Sequence, residues 1–129
     1  MKKKRILIID DEASFTRLLN LNLGCTGKYA VRAENDPPAG LAAVREFHPD
    51  LILLDVMMPQ MDGGALAARL QSDSRFRQIP IVFLTAAVRK DEVRDRNGLI
   101  GGFPYLAKPV DLKQLLVCIE QNLAQQPRG

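Results

Sequence analysis

Only two cysteines occur, Cys25 and Cys118, far apart and outside any Cys-x-x-Cys spacing. Both sit among apolar neighbours, so they are expected to be reduced core or half-buried thiols of a cytosolic protein, with no disulfide holding the fold. Aromatic residues make up 5% of the chain, and no basic stripe interleaves with them. Nucleic-acid binding by this domain is therefore not expected, despite a net charge of +3. The positive excess is scattered over Lys2–Arg5, Arg75 and Arg77, Arg89 to Arg96, and Arg128, as on a solvated surface. No apolar run approaches the roughly 20 residues of a membrane span. The basic start mimics a secretory leader, but Asp10 and Asp11 interrupt its apolar run after Ile6–Ile9, so no targeting segment is read there. A single histidine, His48, ends a predicted helix before Pro49. It reads as a cation favoured by the helix dipole rather than as a phosphoryl relay or metal ligand.

What is present is ordinary globular material, 129 residues with 47% apolar and 26% charged, enough for one core without a structural metal. The expected domain covers residues 1–124, with 125–129 a polar tail or the start of a linker. Apolar runs at Arg5–Ile9, Leu51–Leu54 and Ile79–Leu84 read as buried strands, while Tyr29–Ala33 alternates as a more exposed one. Phe103–Ala107 reads as an edge strand because Pro104 cannot donate to a central ladder. Between them, Phe15, Leu18, Leu19 and Leu23 recur at helical spacing, with Gly24 as the stop. Asn35-Asp36-Pro37 supplies a cap and a first-turn proline for a helix to Phe47, with Leu41, Val44 and Phe47 inward. Asp62-Gly63-Gly64 turns into a third helix, Ala65 to Gln71, a short fourth is read over Val88–Asn97, and Asp111 caps a last one carrying Leu112, Leu115, Leu116, Ile119 and Leu123. Five βα units imply an α/β fold, a parallel sheet with helices on both faces and right-handed crossovers.

Polar residues punctuate four of these strand ends: Asp10-Asp11, Asp55, Thr85 and Lys108. In an open α/β sheet the carboxyl ends of the strands form the ligand crevice. Carboxylates gathered there repel one another unless a cation sits among them, so a hard oxygen-bound metal, Mg²⁺, is expected. A carboxylate flanked by a divalent ion, an ammonium and a hydroxyl is equipped for phosphoryl transfer. Asp55 would be the nucleophile, Asp11 a direct metal ligand, Asp10 a ligand through water, and the Met57 carbonyl a further one. Thr85 would donate its hydroxyl to the phosphoryl group, Ala86 would leave the approach open, and Lys108 would hold a phosphoryl oxygen.

The segments Ile8-Ile9-Asp10-Asp11-Glu12, Leu53 to Gly63, Leu84-Thr85-Ala86 and Tyr105-Leu106-Ala107-Lys108-Pro109 together resemble the receiver domains of two-component response regulators, the CheY-like superfamily. The likeness covers nearly the whole chain. It implies a flavodoxin-like, doubly wound five-stranded sheet in order 2-1-3-4-5, and transfer to Asp55 from a phosphohistidine on a sensor kinase or phosphotransfer protein. It implies Mg²⁺ dependence and a Thr85/Tyr105 switch that reshapes the surface offered to a downstream protein. One departure lies at 98–104, Gly-Leu-Ile-Gly-Gly-Phe-Pro, which replaces the family's usual Gly-Ala and polar residues. Met57 and Ala87, both apolar beside the site, leave the lifetime of the aspartyl phosphate open.

Three other readings compete. A haloacid-dehalogenase-type phosphatase needs a second acid two residues after Asp55, where Met57 stands. A flavodoxin needs a Ser/Thr/Gly-rich phosphate loop where Asp11-Glu12-Ala13-Ser14-Phe15 stands. A receiver fold that only docks partners would have no need of intact Asp10, Asp11, Asp55, Thr85 and Lys108. The reading is thus a cytoplasmic switch that catalyses only its own phosphoryl transfer and dephosphorylation. No membrane insertion is expected, and a homodimer through the last two βα units is a fair hypothesis. With no DNA-binding, cyclase or phosphodiesterase segment read after residue 124, the expectation is either a stand-alone receiver acting by protein contact or one cut from a longer chain at a Gln/Pro/Gly linker.

Overall fold

The apolar runs do form strands, and the strands lie parallel. In the computed structural model, which describes residues 3–58, 61–85, 99–100 and 103–124, β1 (Lys4–Ile9) is followed by α1 (Ala13–Cys25), β2 (Tyr29–Glu34), a 3₁₀ turn (Pro37–Ala39), α2 (Gly40–Phe47) and β3 (Leu51–Asp55). Next come the two-residue strands β4 (Met57–Met58) and β5 (Met61–Asp62), then α3 (Gly63–Ser72), β6 (Ile81–Thr85), β7 (Leu99–Ile100), β8 (Phe103–Ala107) and α4 (Leu112–Ala124). Five strands run parallel in the order β2-β1-β3-β6-β8, the flavodoxin-like order expected from the sequence. β7 adds a short antiparallel sixth strand beside the start of β8, and β4 and β5 pair separately. The helix read over Val88–Asn97 lies outside the described residues.

Because successive side chains on a strand point to opposite faces, an uninterrupted apolar run is what a strand between two helical layers requires. Leu7, Ile9, Ile52, Leu54, Ile81 and Phe83 pack with Ala43 and Val44 of α2 and Leu66, Ala67 and Leu70 of α3. Ile6, Ile8, Leu51, Leu53, Val82 and Leu84 face Leu19 and Leu23 of α1 and Leu115 and Ile119 of α4. Helices therefore cover both faces of the sheet.

Several local expectations need correction. Leu18 is 56% exposed, because α1 turns Phe15, Thr16, Leu19 and Leu23 inward and a position three beyond Phe15 falls outside that narrow stripe. α1 runs through Gly24 to Cys25, and the left-handed residue after its end is Gly27, φ 73°, whose N–H donates to Gly24 O at 3.1 Å. Cys25 is exposed; Cys118 is half-buried as expected. Pro37 opens the 3₁₀ turn rather than α2 itself, and Asp36 makes no side-chain cap. The α3 helix begins at Gly63, two residues before the expected start. On α2, Val44 is buried while Leu41 and Phe47 pack as partly buried neighbours, and His48 is an exposed left-handed cap at φ 51°. Asp111 does cap α4, accepting from Gln114 N at 3.2 Å. Leu112 is 37% exposed. β8 is not itself the edge, since β7 flanks its start with Leu99 opposite Pro104, and Pro104 is accommodated because the parallel pairing of β8 with β6 begins only at Tyr105.

Candidate functional site

Register brings the acids together. β1 and β3 are parallel neighbours with Ile8 opposite Leu53 and Ile9 opposite Leu54, so one further residue sets Asp10 beside Asp55. In the alternation both follow the face that packs on α1 and α4. Backbone bonds carry the alignment past the strand ends: Asp10 N donates to Glu34 O at 3.1 Å, Val56 N to Leu84 O at 3.0 Å, and Lys108 N to Thr85 O at 2.8 Å. Asp10, Asp11 and Asp55 thereby present one carboxylate oxygen each within 4.8 Å of one another. Asp10 is fully buried and Asp55 and Thr85 are each 4% exposed, while Asp11 is half-buried.

Lys108 closes the group. Its Nζ lies 2.6 Å from Asp10 Oδ2, 2.9 Å from Glu12 Oε1 and 3.7 Å from Asp55 Oδ2, and 4.4 Å from the centre of the Phe15 ring. Burial pulls the Lys108 pKa down, but the carboxylates of Asp10 and Glu12 beside it, with the charge of Asp55, more than offset this and hold it above the usual lysine value. The ammonium is therefore charged at neutral pH. Asp10 Oδ2 is buried, and among the described residues its close partner is this ammonium. Asp10, Asp11, Asp55 and Glu12 against one lysine leave three negative charges in excess. Three carboxylates converging at short range, with more negative charge than one ammonium can balance, are a donor set suited to a small divalent cation.

The remaining predicted residues are placed as follows. Met57 lies in β4, two residues past Asp55, its backbone paired with Asp62. Tyr105 is half-buried, opposite Phe83 across β6 and β8, and packs against the α2–α3 side of the core. Ala86 falls outside the described residues.

The comparisons with known proteins agree with this geometry. Residues 6–120 match the family described as the response regulator receiver domain. The chain belongs to that family. The DNA-binding dual master transcriptional regulator RpaA of Synechocystis sp. is 36% identical to it over 125 residues, 96% of this chain and 51% of that protein. The response regulator PleD of Caulobacter vibrioides is 40% identical over 108 residues, 83% of this chain and 23% of that protein. The chain thus spans about half the length of the first and a quarter of the second. A CheY-like response regulator receiver domain protein from Methanospirillum hungatei superposes with a TM-score of 0.81 at 27% identity, over 97% of each chain. Phosphorylation-dependent switching is the role of the family, and this receiver is a signalling protein of two-component type.

Three features of the receiver's site are not visible as site residues in its sequence. Asn35, read as a helix cap, instead donates from Nδ2 to Asp10 O at 2.9 Å and to Thr16 Oγ1 at 2.8 Å, tying the first acidic turn to α1. Glu12 reaches Lys108 across 96 positions of chain, a pairing no local pattern signals. Gly63 donates to Val56 O at 3.1 Å and lies so close behind Asp55 that a Cβ there would sit 2.1 Å from the Asp55 carbonyl oxygen. The Asp62-Gly63-Gly64 sequence signals a turn, but not this close approach. Gly63→Ala is expected to lower stability by about 2 kcal/mol or more in urea unfolding, since backbone must move to admit the methyl group. Gly24→Ala, with nothing within 4 Å of the added Cβ in the last turn of α1, is expected to raise stability by about 0.5 kcal/mol in the same measurement.

Proposed function

We propose that this receiver accepts a phosphoryl group on Asp55 from the phosphohistidine of a sensor kinase or phosphotransfer protein, and that the modified domain presents a changed surface to a downstream protein. The observation that carries the reading is the convergence of Asp10, Asp11 and Asp55 within 4.8 Å beneath a lysine whose Nζ is 3.7 Å from Asp55 Oδ2. The residues suited to hold Mg²⁺ are Asp10, Asp11, Asp55 and the Met57 carbonyl. When bound, the ion supplies positive charge against the phosphoryl oxygens. An Asp55 oxygen forms the new O–P bond as the N–P bond of the donor breaks, and the released imidazole takes its proton from solvent. Thr85 donates its hydroxyl to one phosphoryl oxygen and Lys108 its ammonium to another.

The added phosphoryl group brings about −1.5 to −2 charge at neutral pH, enough to bias a two-state equilibrium. Thr85 and Tyr105 form the switch in this reading, supported by the burial of the threonine and the half-buried position of the tyrosine on the neighbouring strand. The protein catalyses only its own phosphorylation and dephosphorylation. Residues 1–124 constitute the receiver, with 125–129 a tail or the start of a linker, and the domain works in the cytoplasm, where its donors are. Among the described residues no helix is long and apolar enough to cross a membrane.

Intact-mass spectrometry after incubation with acetyl phosphate tests the assignment. A single adduct that needs Mg²⁺ and is absent from Asp55→Asn is expected; no adduct on folded parent protein would favour a docking module that does not use phosphate. We also propose a homodimer through the last two βα units, supported by exposed Leu112 and Val117 on α4 and the groove that Leu106, Val117 and Cys118 line. Light scattering after size-exclusion should give a dimer mass with beryllofluoride and Mg²⁺. A monomer mass throughout would overturn it.

A further inference from the structure

Lys108 is divided unequally among its carboxylates. Its ammonium is 2.6 Å from Asp10 and 2.9 Å from Glu12, but 3.7 Å from Asp55 Oδ2, beyond hydrogen-bond range. Phe15 offers its ring face at 4.4 Å on the same side. The cation thus rests toward the start of α1. Glu12 is built to keep it there. Glu12 occupies the residue before α1 in extended conformation, φ −85° and ψ 97°, where a short polar side chain would ordinarily cap the helix; its own side chain makes no cap bond. Its backbone N–H donates to Asp10 Oδ1 at 3.0 Å and its carbonyl accepts from Thr16 N at 3.1 Å, so the residue is fixed at both ends while the carboxylate reaches Lys108.

We propose that Glu12 is a positioning residue that holds Lys108 off Asp55 in the unphosphorylated receiver and surrenders it to the phosphoryl group. The inference rests on the phosphoryl-transfer reading above. Magnitudes favour a reversible exchange. The Glu12 side chain is 57% exposed, so its ion pair is screened by water and weak. A phosphoryl group on Asp55 carries about −1.5 to −2 charge in a far drier place and takes the ammonium readily. When the phosphoryl group leaves, Lys108 returns to Glu12.

Glu12→Gln removes the charge, whereas Glu12→Asp keeps it on an arm one methylene too short for the contact. Two readouts separate contact from field. In the metal-free protein, the Lys108 ammonium signal in ¹⁵N NMR should be protected in the parent and broadened by exchange in both variants. With acetyl phosphate and Mg²⁺, both variants should be phosphorylated about threefold faster than the parent, the size expected for loss of an exposed ion pair. A Glu12→Asp protein that matches the parent while Glu12→Gln is faster would overturn the proposal, because only charge at position 12 would then matter. An unchanged Lys108 signal in Glu12→Gln would overturn it as well. Should the parent take up no phosphoryl group, the phosphoryl-transfer reading fails and this proposal with it. An adduct on the parent with unchanged rates in both variants would instead overturn the role of Glu12 alone.

Discussion

Three aspartates converge at the carboxyl ends of buried strands, two of them beside one ammonium, and the arrangement of this domain follows from keeping them there. Isolated carboxylates with almost no solvent contact are costly, and their repulsion acts through a medium that screens poorly. Lys108, shared with Glu12, cannot neutralise them. A cluster of this kind persists only where the backbone beneath it cannot relax. Here that backbone is the centre of a parallel sheet packed on both faces, with Ile6 to Ile9, Leu51 to Leu54 and Val82 and Leu84 almost without solvent contact. The most deeply buried part of the molecule thus positions its least favourable charges.

In the proposed phosphoryl-transfer role the same surplus charge is put to use: a divalent cation would relieve it, and a phosphoryl group on Asp55 would shift the balance around Lys108 and Thr85. Lys108 is the pivot because its position is set from two sides: its backbone is bonded to Thr85 O at 2.8 Å, while its side chain crosses to Asp10 and Glu12. Tyr105 sits three residues earlier on the strand that leads to Lys108, opposite Phe83 and two residues from Phe103, whose ring meets Phe83 edge-on at 5.3 Å. The path from the acids to the outer strand is short and made of packed or hydrogen-bonded neighbours.

Much of this was legible in the chain because strands buried on both faces leave a plain signature. The apolar runs ending in Asp10, Asp55 and Thr85 mark both the sheet and its crevice, and the register of β1 on β3 then follows from the fold. What escaped depends on geometry that a linear pattern does not carry. Leu18 sits at helical spacing yet faces water, since spacing fixes a stripe and not its edges. Cys25 has apolar neighbours in sequence but lies at the exposed end of α1. The Glu12–Lys108 contact joins residues from opposite ends of the chain, and Gly63 is needed for a carbonyl that lies eight positions earlier. The strand β7 arises from the unusual Gly-Leu-Ile-Gly-Gly-Phe-Pro segment, where the turn glycines were visible but the pairing was not.

The central claim is that the acidic cluster is a cation site and not merely a strained surface, and calorimetric titration of Mg²⁺ into the phosphate-free protein addresses it most directly. The account predicts saturable binding at a single site, weakened about tenfold or more in Asp11→Asn, a loss of the size that removal of one charged ligand should produce. Equal affinity in the two proteins, or no binding to the parent, would contradict it.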